Sequence, residues 1–487
     1  MGLQGSWENG RTSRRAFLGM SGTAAAALAL TPRDALGAKR RRGAFGPLLP
    51  DPDGLLDLPH GFQYNILSQE GDRLTNGAPV PGDHDGMAAF RGRRNTTVLV
   101  RNHELNRTDR PAVIGRNPYD RSAPGGTTAV VVGPDRTELQ SFVTSSGTLN
   151  NCAGGATPWG TWITCEEDRT TSHGYCFEVD PRDPQNTLSK TPIRDMGFFS
   201  HEAVDVDPRT GIVYLTEDDF RGVIDRTDPN RDTRSSFLFR YLPTDRRGRP
   251  GSLGRGGKLE VMAIEERPLV DADFFEPGQQ FGVVWREVNK EEPHDDALAK
   301  GAVRFNRLEG CHFSGGAFWF DDTAGGESRL GQIFRYLPAT NTLELFFEGT
   351  DENRMESPDN IIITPWGHLW FAEDGEGENR VLGITPRGET YLFARNALND
   401  SEVAGPCFSP DGMTFFLNIQ DPGITFAIWG PFQRAFDREG SARLLAHSAP
   451  PRGLGPKLSG ELVEAADRHG LTRLEAAAYQ RLGVPVV

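Results

Sequence analysis

Cysteine is scarce: the 487 residues hold five, at positions 152, 165, 176, 311 and 407, an odd number with no C-x-x-C pair. That argues against a disulfide framework and leaves each thiol as a plain buried group or a metal ligand. Long hydrophobic runs are also missing. The one apolar stretch of note, Met20 to Leu30, is too short to cross a bilayer as an ordinary transmembrane helix. Positive charge is in deficit, with 53 Lys and Arg against 67 Asp and Glu and a formal net charge of −14. Residues 1–43 carry eight of the bases and two of the acids, so the remainder stands at 45 against 65, or −20. Such a chain is a poor binder of nucleic acid or anionic membranes, and an anionic substrate would need bound cations to offset repulsion. There is no Gly-x-Ser-x-Gly elbow and no obvious serine triad.

Glycine and proline are abundant, at 57 and 34, which favours short strands joined by turns. The length allows two or three domains, or one large all-β domain. Residues 1–43 form a separate segment. Ser13-Arg14-Arg15-Ala16-Phe17-Leu18 precedes the apolar run, the pattern of a twin-arginine export signal. Small residues from Ala35 to Ala38 suit cleavage, whereas Lys39-Arg40-Arg41-Arg42 does not, so release and an uncleaved anchor both stay open. The signal implies the twin-arginine export machinery as a partner, a periplasmic or secreted location, and a cofactor installed before export.

The chain repeats itself. TPWGTWITCEED (Thr157 to Asp168) returns as TPWGHLWFAEDG (Thr364 to Gly375), and GIVYLTEDD (Gly211 to Asp219), GAFWFDD (Gly316 to Asp322), NTTVLVRNHE (Asn95 to Glu104) and GMTFFLNIQ (Gly412 to Gln420) share the form. Each runs from a turn into an aromatic or β-branched strand, and most end in acids. Upstream of each stands another polar residue: Asp85, Cys152, Glu202, Glu309, Asp359 and Glu402. FRYLP occurs twice, at Phe239 to Pro243 and Phe334 to Pro338. Units of this size built from short strands are propeller blades. We therefore expect an all-β fold, a β-propeller of six blades over residues 44–440, with seven as the alternative. Residues 44–84 and the strands near 424–430 would close the ring, and Thr244 to Lys258 would decorate a blade. Residues 441–487 read as a tail with an amphipathic helix from Gly460 to Arg481.

In a propeller the innermost strands line a central channel, so acids at one repeated position form a ring around it. Converging carboxylates repel one another and lose hydration, which metal ions relieve. Acid pairs after strands also serve as turn formers. Oxygen donors suit calcium, while one thiolate points to a transition metal; Cys152 lies among small residues in NCAGG, where a metal can approach. Arg307 and Glu309 alternate on one strand face. Arg307 either grips phosphate or merely pairs with Glu309. His84, His103 and His201 each neighbour an acid and are ligands, proton carriers or supporting residues.

Together, the twin-arginine signal, HDGM, RNHE, NNCAGGATPWGTWITCEE, FSHEAVDVDP, RLEG, SPDN and FAEDG resemble the PhoX family of exported bacterial alkaline phosphatases over nearly all of residues 80 to 430. The resemblance implies a six-bladed propeller that hydrolyses phosphomonoesters with an iron and calcium cluster. It implies Cys152, Glu167, Glu202, Glu309, Asp359 and Glu373 as metal ligands, with Arg307 and Glu309 at the catalytic centre and Arg307 gripping phosphate. Glu104, Glu166, Asp374, His201 and Glu217 match more loosely, because adjacent acids look alike in sequence. A small-molecule phosphomonoester is the expected partner of a monomer without a stable membrane partner. Two readings compete: a calcium-dependent propeller lactonase or related hydrolase, and a non-catalytic, calcium-stabilised binding propeller.

Overall fold

The computed structural model describes residues 45–170, 172–219 and 235–433. The expected signal segment and tail helix lie outside them. Nearly every described element is a strand, and the strands form six sheets, one per blade of a six-bladed propeller. The inner strands of the six blades are His84–Arg91, Gly154–Ala156, His201–Val206, Leu308–Ser314, Pro358–Ile363 and Val403–Phe408. Each begins within two residues of one of the six polar positions that mark the sequence repeat. Each inner strand lies against the next in chain order, and the sixth lies against the first.

Alternation explains how the blades hold together. Successive side chains of a strand point to opposite sheet faces, so one strand feeds two interfaces. In the fourth blade Phe318 and Phe320 pack with Tyr214 and Leu238 of the third, while Trp319 between them packs with Phe371 and Leu382 of the fifth. The same holds round the ring. Trp370 and Phe393 of the fifth blade meet Phe415 and Phe426 of the sixth, and Phe416 and Ala427 of the sixth meet Leu99 and Val130 of the first. The core is thus six apolar wedges around a channel.

The ring is closed by the N-terminal strand Gln63–Gln69, which pairs along Ile424–Trp429 and completes the sixth blade. Leu56–Pro59 and Leu48–Leu49 extend the outer edge of the fifth blade. The second blade has three strands, Gly154–Ala156, Trp162–Cys165 and Cys176–Val179. The long stretch between Glu202 and Glu309 is a decorated third blade, and its FGVVW segment, Phe281 to Trp285, is split between two sheets. Gln280–Gly282 edges the fourth blade, and Val284–Glu287 edges the third.

Candidate metal and phosphate site

At one end of the channel the regular ladder is broken in a repeated way. Five of the six inner strands shift register within their first residues, between His84 and Met87, His201 and Val204, Leu308 and Cys311, Pro358 and Ile361, and Ala404 and Cys407. A bulge bends its strand and re-aims the local side chain. Four of these bulges hold Asp85, Glu202, Glu309 and Asp359, and Glu402 stands just ahead of the fifth. Glycine lets the inner strands crowd together: a Cβ at Gly310 would lie 2.3 Å from the Asp359 carbonyl oxygen, and one at Gly155 would lie 1.7 Å from that of Val204.

The cavity so formed has a volume of about 230 Å³. Nine carboxylates line it, from Asp85, Glu104, Glu167, Glu202, Asp218, Glu309, Asp359, Asp374 and Glu402, together with Cys152, Arg307 and Gln420. Of the residues expected from sequence, Cys152, Glu167, Glu202, Arg307, Glu309 and Asp359 are brought together here. Glu373 is not. Its buried carboxylate is bound by the Arg380 guanidinium at 2.5 and 2.9 Å and accepts the Glu356 amide at 2.9 Å, and the cavity residue is its neighbour Asp374.

That pair shows the rule behind the repeated acids. In the second, third and fifth blades the first residue of the pair anchors its blade and the second enters the channel, whereas in the fourth neither Asp321 nor Asp322 lines the cavity. Glu166 accepts the amides of Leu149, Gly174 and Tyr175 at 2.9 to 3.2 Å and lies 2.6 Å from His173, while Glu167 lines the cavity. Glu217 accepts the Phe237 amide and lies 3.0 Å from Nδ1 of His294, while Asp218 lines it. In the first blade His103 donates to the Gly82 carbonyl and Glu104 points inward. His84 and His201 likewise contact the carbonyls of Pro81 and Gly197 and do not line the cavity. Sequence reasoning alone did not single out Asp218. The signal for it was positional: the residue one past the paired end of the second strand.

The electrostatics are severe. Burial, reinforced by neighbouring carboxylates, drives the acids of Asp85, Glu167, Glu202, Glu309 and Glu402 well above the usual carboxylate range. By the same causes Asp359 is pushed up to about 8 and Glu104 to about 7. Burial and then Glu202 raise the Cys152 thiol. Among the described residues one cation faces them. Arg307, in the left-handed region at φ +69°, grips Asp218 at 2.7 to 3.2 Å and Glu309 at 2.7 Å. These two acids hold its charge against the pull of burial. A bulky residue at positive φ is uncommon and clusters at functional sites.

Metal ions fit this donor set. Oxygens or sulfur of Cys152, Glu167 and Glu202 lie within 4.8 Å of one another, as do those of Asp85, Glu104 and Glu402, and of Glu202, Glu309 and Asp359. Oε1 of Glu167 is buried without a hydrogen-bond partner, the state expected of a ligand atom. Beside the channel, Glu217, Asp219 and His294 form a fourth such group, but Arg169 donates to Asp219 at 2.7 Å and supplies positive charge there.

Among solved structures, PhoX of Pseudomonas fluorescens in complex with vanadate, a transition state analogue, superimposes with a TM-score of 0.60 at 19% identity, covering 77% of this chain and 96% of that one. A gluconolactonase from Xanthomonas campestris reaches a TM-score of 0.39 at 14% identity over 80% of this chain and 99% of that one. No match is found among curated proteins. The family model for alkaline phosphatase PhoX matches residues 43–423, and the chain belongs to that family.

Proposed function

We propose that the chain is an exported phosphomonoesterase whose channel holds iron and calcium. The observation that carries this reading is the convergence, among the described residues, of nine carboxylates, one thiol and one arginine on a single cavity. Such a cage cannot bind a phosphate dianion unaided, because its carboxylates repel the dianion when ionised and supply no positive charge to hold it when protonated. Cations held there would neutralise both the cage and the phosphate and activate an attacking oxygen. Oxygen donors from Asp85, Glu104, Glu309, Asp359, Asp374 and Glu402 suit calcium, and the Cys152 thiolate with Glu167 and Glu202 suits iron.

The protein's own residues do the positioning. Asp218 and Glu309 hold the guanidinium of Arg307 in one plane, and the strained backbone fixes the direction of its side chain. A planar fork so held matches two phosphoryl oxygens and supports the charge that develops on them in transfer. Asp374 takes the ligand place expected of Glu373. In this reading residues 1–43 direct export through the twin-arginine machinery, which fits a chain that must fold around its metals first. Among the described residues no helix is long and apolar enough to cross a membrane.

The test is elemental analysis of the purified chain together with hydrolysis of a chromogenic phosphomonoester before and after chelation. Iron and calcium, with phosphate release that chelation abolishes, are the expected result. Metal-loaded protein that releases no phosphate from diverse monoesters would refute the reading.

A further inference from the structure

A bulge aims a side chain at the cost of local ladder hydrogen bonds, so the main chain there needs other partners. The partners come from neighbouring blades. In the second strand, the residue before the one paired with the start of the inner strand is Asn102, Thr216, Asp321, Ala372 or Asn418, read from five blade registers. Three of these side chains cross to the next blade and end on the main-chain carbonyl of a cavity residue. Nδ2 of Asn102 in the first blade donates to Cys152 O at 2.9 Å and Ala153 O at 2.7 Å. The Thr216 hydroxyl in the third blade donates to Glu309 O at 2.6 Å. Nδ2 of Asn418 in the sixth donates to Asp85 O at 2.7 Å, across the closure of the ring.

These bridges are themselves held. Oδ1 of Asn102 accepts from Trp162 Nε1 and Thr164 Oγ1, each at 3.0 Å. The Thr216 hydroxyl accepts the Ala203 amide at 2.9 Å, and Oδ1 of Asn418 accepts from Thr425 at 2.7 Å. All three side chains are fully buried. In the fifth blade, where Ala372 offers nothing, the inner strand supplies the bridge. Asn360 accepts the Gly405 amide of the sixth blade at 2.6 Å and donates to the Asp359 carboxylate at 2.9 Å.

We propose that Asn102, Thr216 and Asn418 are positioning residues of the cavity, each fixing from the preceding blade the main chain of the ligand it touches in the next. None of them lines the cavity, and each acts through another residue. Fixing a carbonyl fixes its peptide plane and hence the direction of the adjoining side chain. The bridges therefore set the spacing between acids that no single blade could set. This inference rests on the channel being the metal-loaded site proposed above.

Thr216 gives the cleanest test. Thr216→Val keeps the shape and removes the hydroxyl, whereas Thr216→Ser keeps the hydroxyl and removes the methyl. Bound metal per chain, kcat and KM are measured on purified protein loaded identically with iron and calcium. Thr216→Val is expected to lose metal and to lower kcat by about tenfold or more, since small misplacements of catalytic groups carry penalties of that order. Thr216→Ser is expected to restore both. Asn102→Asp, equal in shape but turning its donors into acceptors that face two carbonyls, is expected to lose metal in the same way and keeps the test open if Thr216→Val does not fold. Either isosteric change leaving metal and turnover at wild-type level would overturn the proposal. So would equal losses in Thr216→Val and Thr216→Ser. If the wild type binds metal but releases no phosphate, the phosphatase reading fails instead, and metal retention in the variants still decides the positioning role.

Discussion

The two acids of a repeated pair are chemically alike and do different work, and the difference is set by what surrounds each one. Glu373 sits against Arg380 and the Glu356 amide, whereas Asp374 opens into the cavity. Glu373→Gln is expected to lower stability by about 3–5 kcal/mol, the usual effect of leaving one partner of a buried ion pair alone, while bound metal stays near the wild-type level. Asp374→Asn is expected to do the reverse, losing metal and turnover with little change in the unfolding of metal-free protein. Urea titration and metal analysis of both variants separate the two roles, and loss of metal from Glu373→Gln would return Glu373 to the ligand set. This distinction is what the sequence could not convey. The repeat pointed to the strand end, but not which of two adjacent acids finds an anchoring arginine, because Arg380 comes from a different strand.

Strands and their bulges show a similar division between what was legible and what was not. The six inner strands could be found from the polar residue ahead of each apolar run, since turn, strand and acid follow in a fixed order. The bulges could not be, because they arise where neighbouring blades crowd, as at Gly310 against the Asp359 carbonyl. Nor could the division of FGVVW between two blades, since period-two alternation says nothing about which sheet a short edge strand joins. The bridging position on the second strand carries its own consequence at Asp321. There an acid stands where Asn102, Thr216 and Asn418 stand in other blades, fully buried, with neither oxygen hydrogen-bonded. Burial, and then Asp359, push its carboxyl well above the ordinary range. An amide of the same shape supplies the donors that this position uses elsewhere and cannot carry charge. Asp321→Asn is therefore expected to raise stability by about 1–3 kcal/mol, the penalty of an unsatisfied buried polar group, with turnover unchanged. A lower melting temperature together with lost metal would instead make Asp321 a ligand.

The propeller as a body stores its electrostatic strain at the channel, so its stability is tied to occupancy and pH together. Six apolar wedges close the ring, and the closure by Gln63–Gln69 was expected from sequence because residues 44–84 and 424–430 were the strands left over. What the wedges hold in place is a set of carboxyls whose folded-state affinity for protons is raised, with Asp359 at about 8 and Glu104 at about 7. In the metal-free protein the folded state then binds more protons than the unfolded chain. The stability these groups contribute is fully present below the ordinary carboxylate range and is lost as pH rises through their folded values. Metal ions invert this, because a ligand carboxylate must be ionised and binding to the folded state alone adds stability. The difference in melting temperature between metal-loaded and metal-free protein is thus expected to be small near pH 4 and to widen steadily toward pH 8. Calorimetry of both forms across that range measures it. A difference that stays constant with pH would mean that the channel acids are not what the metals hold.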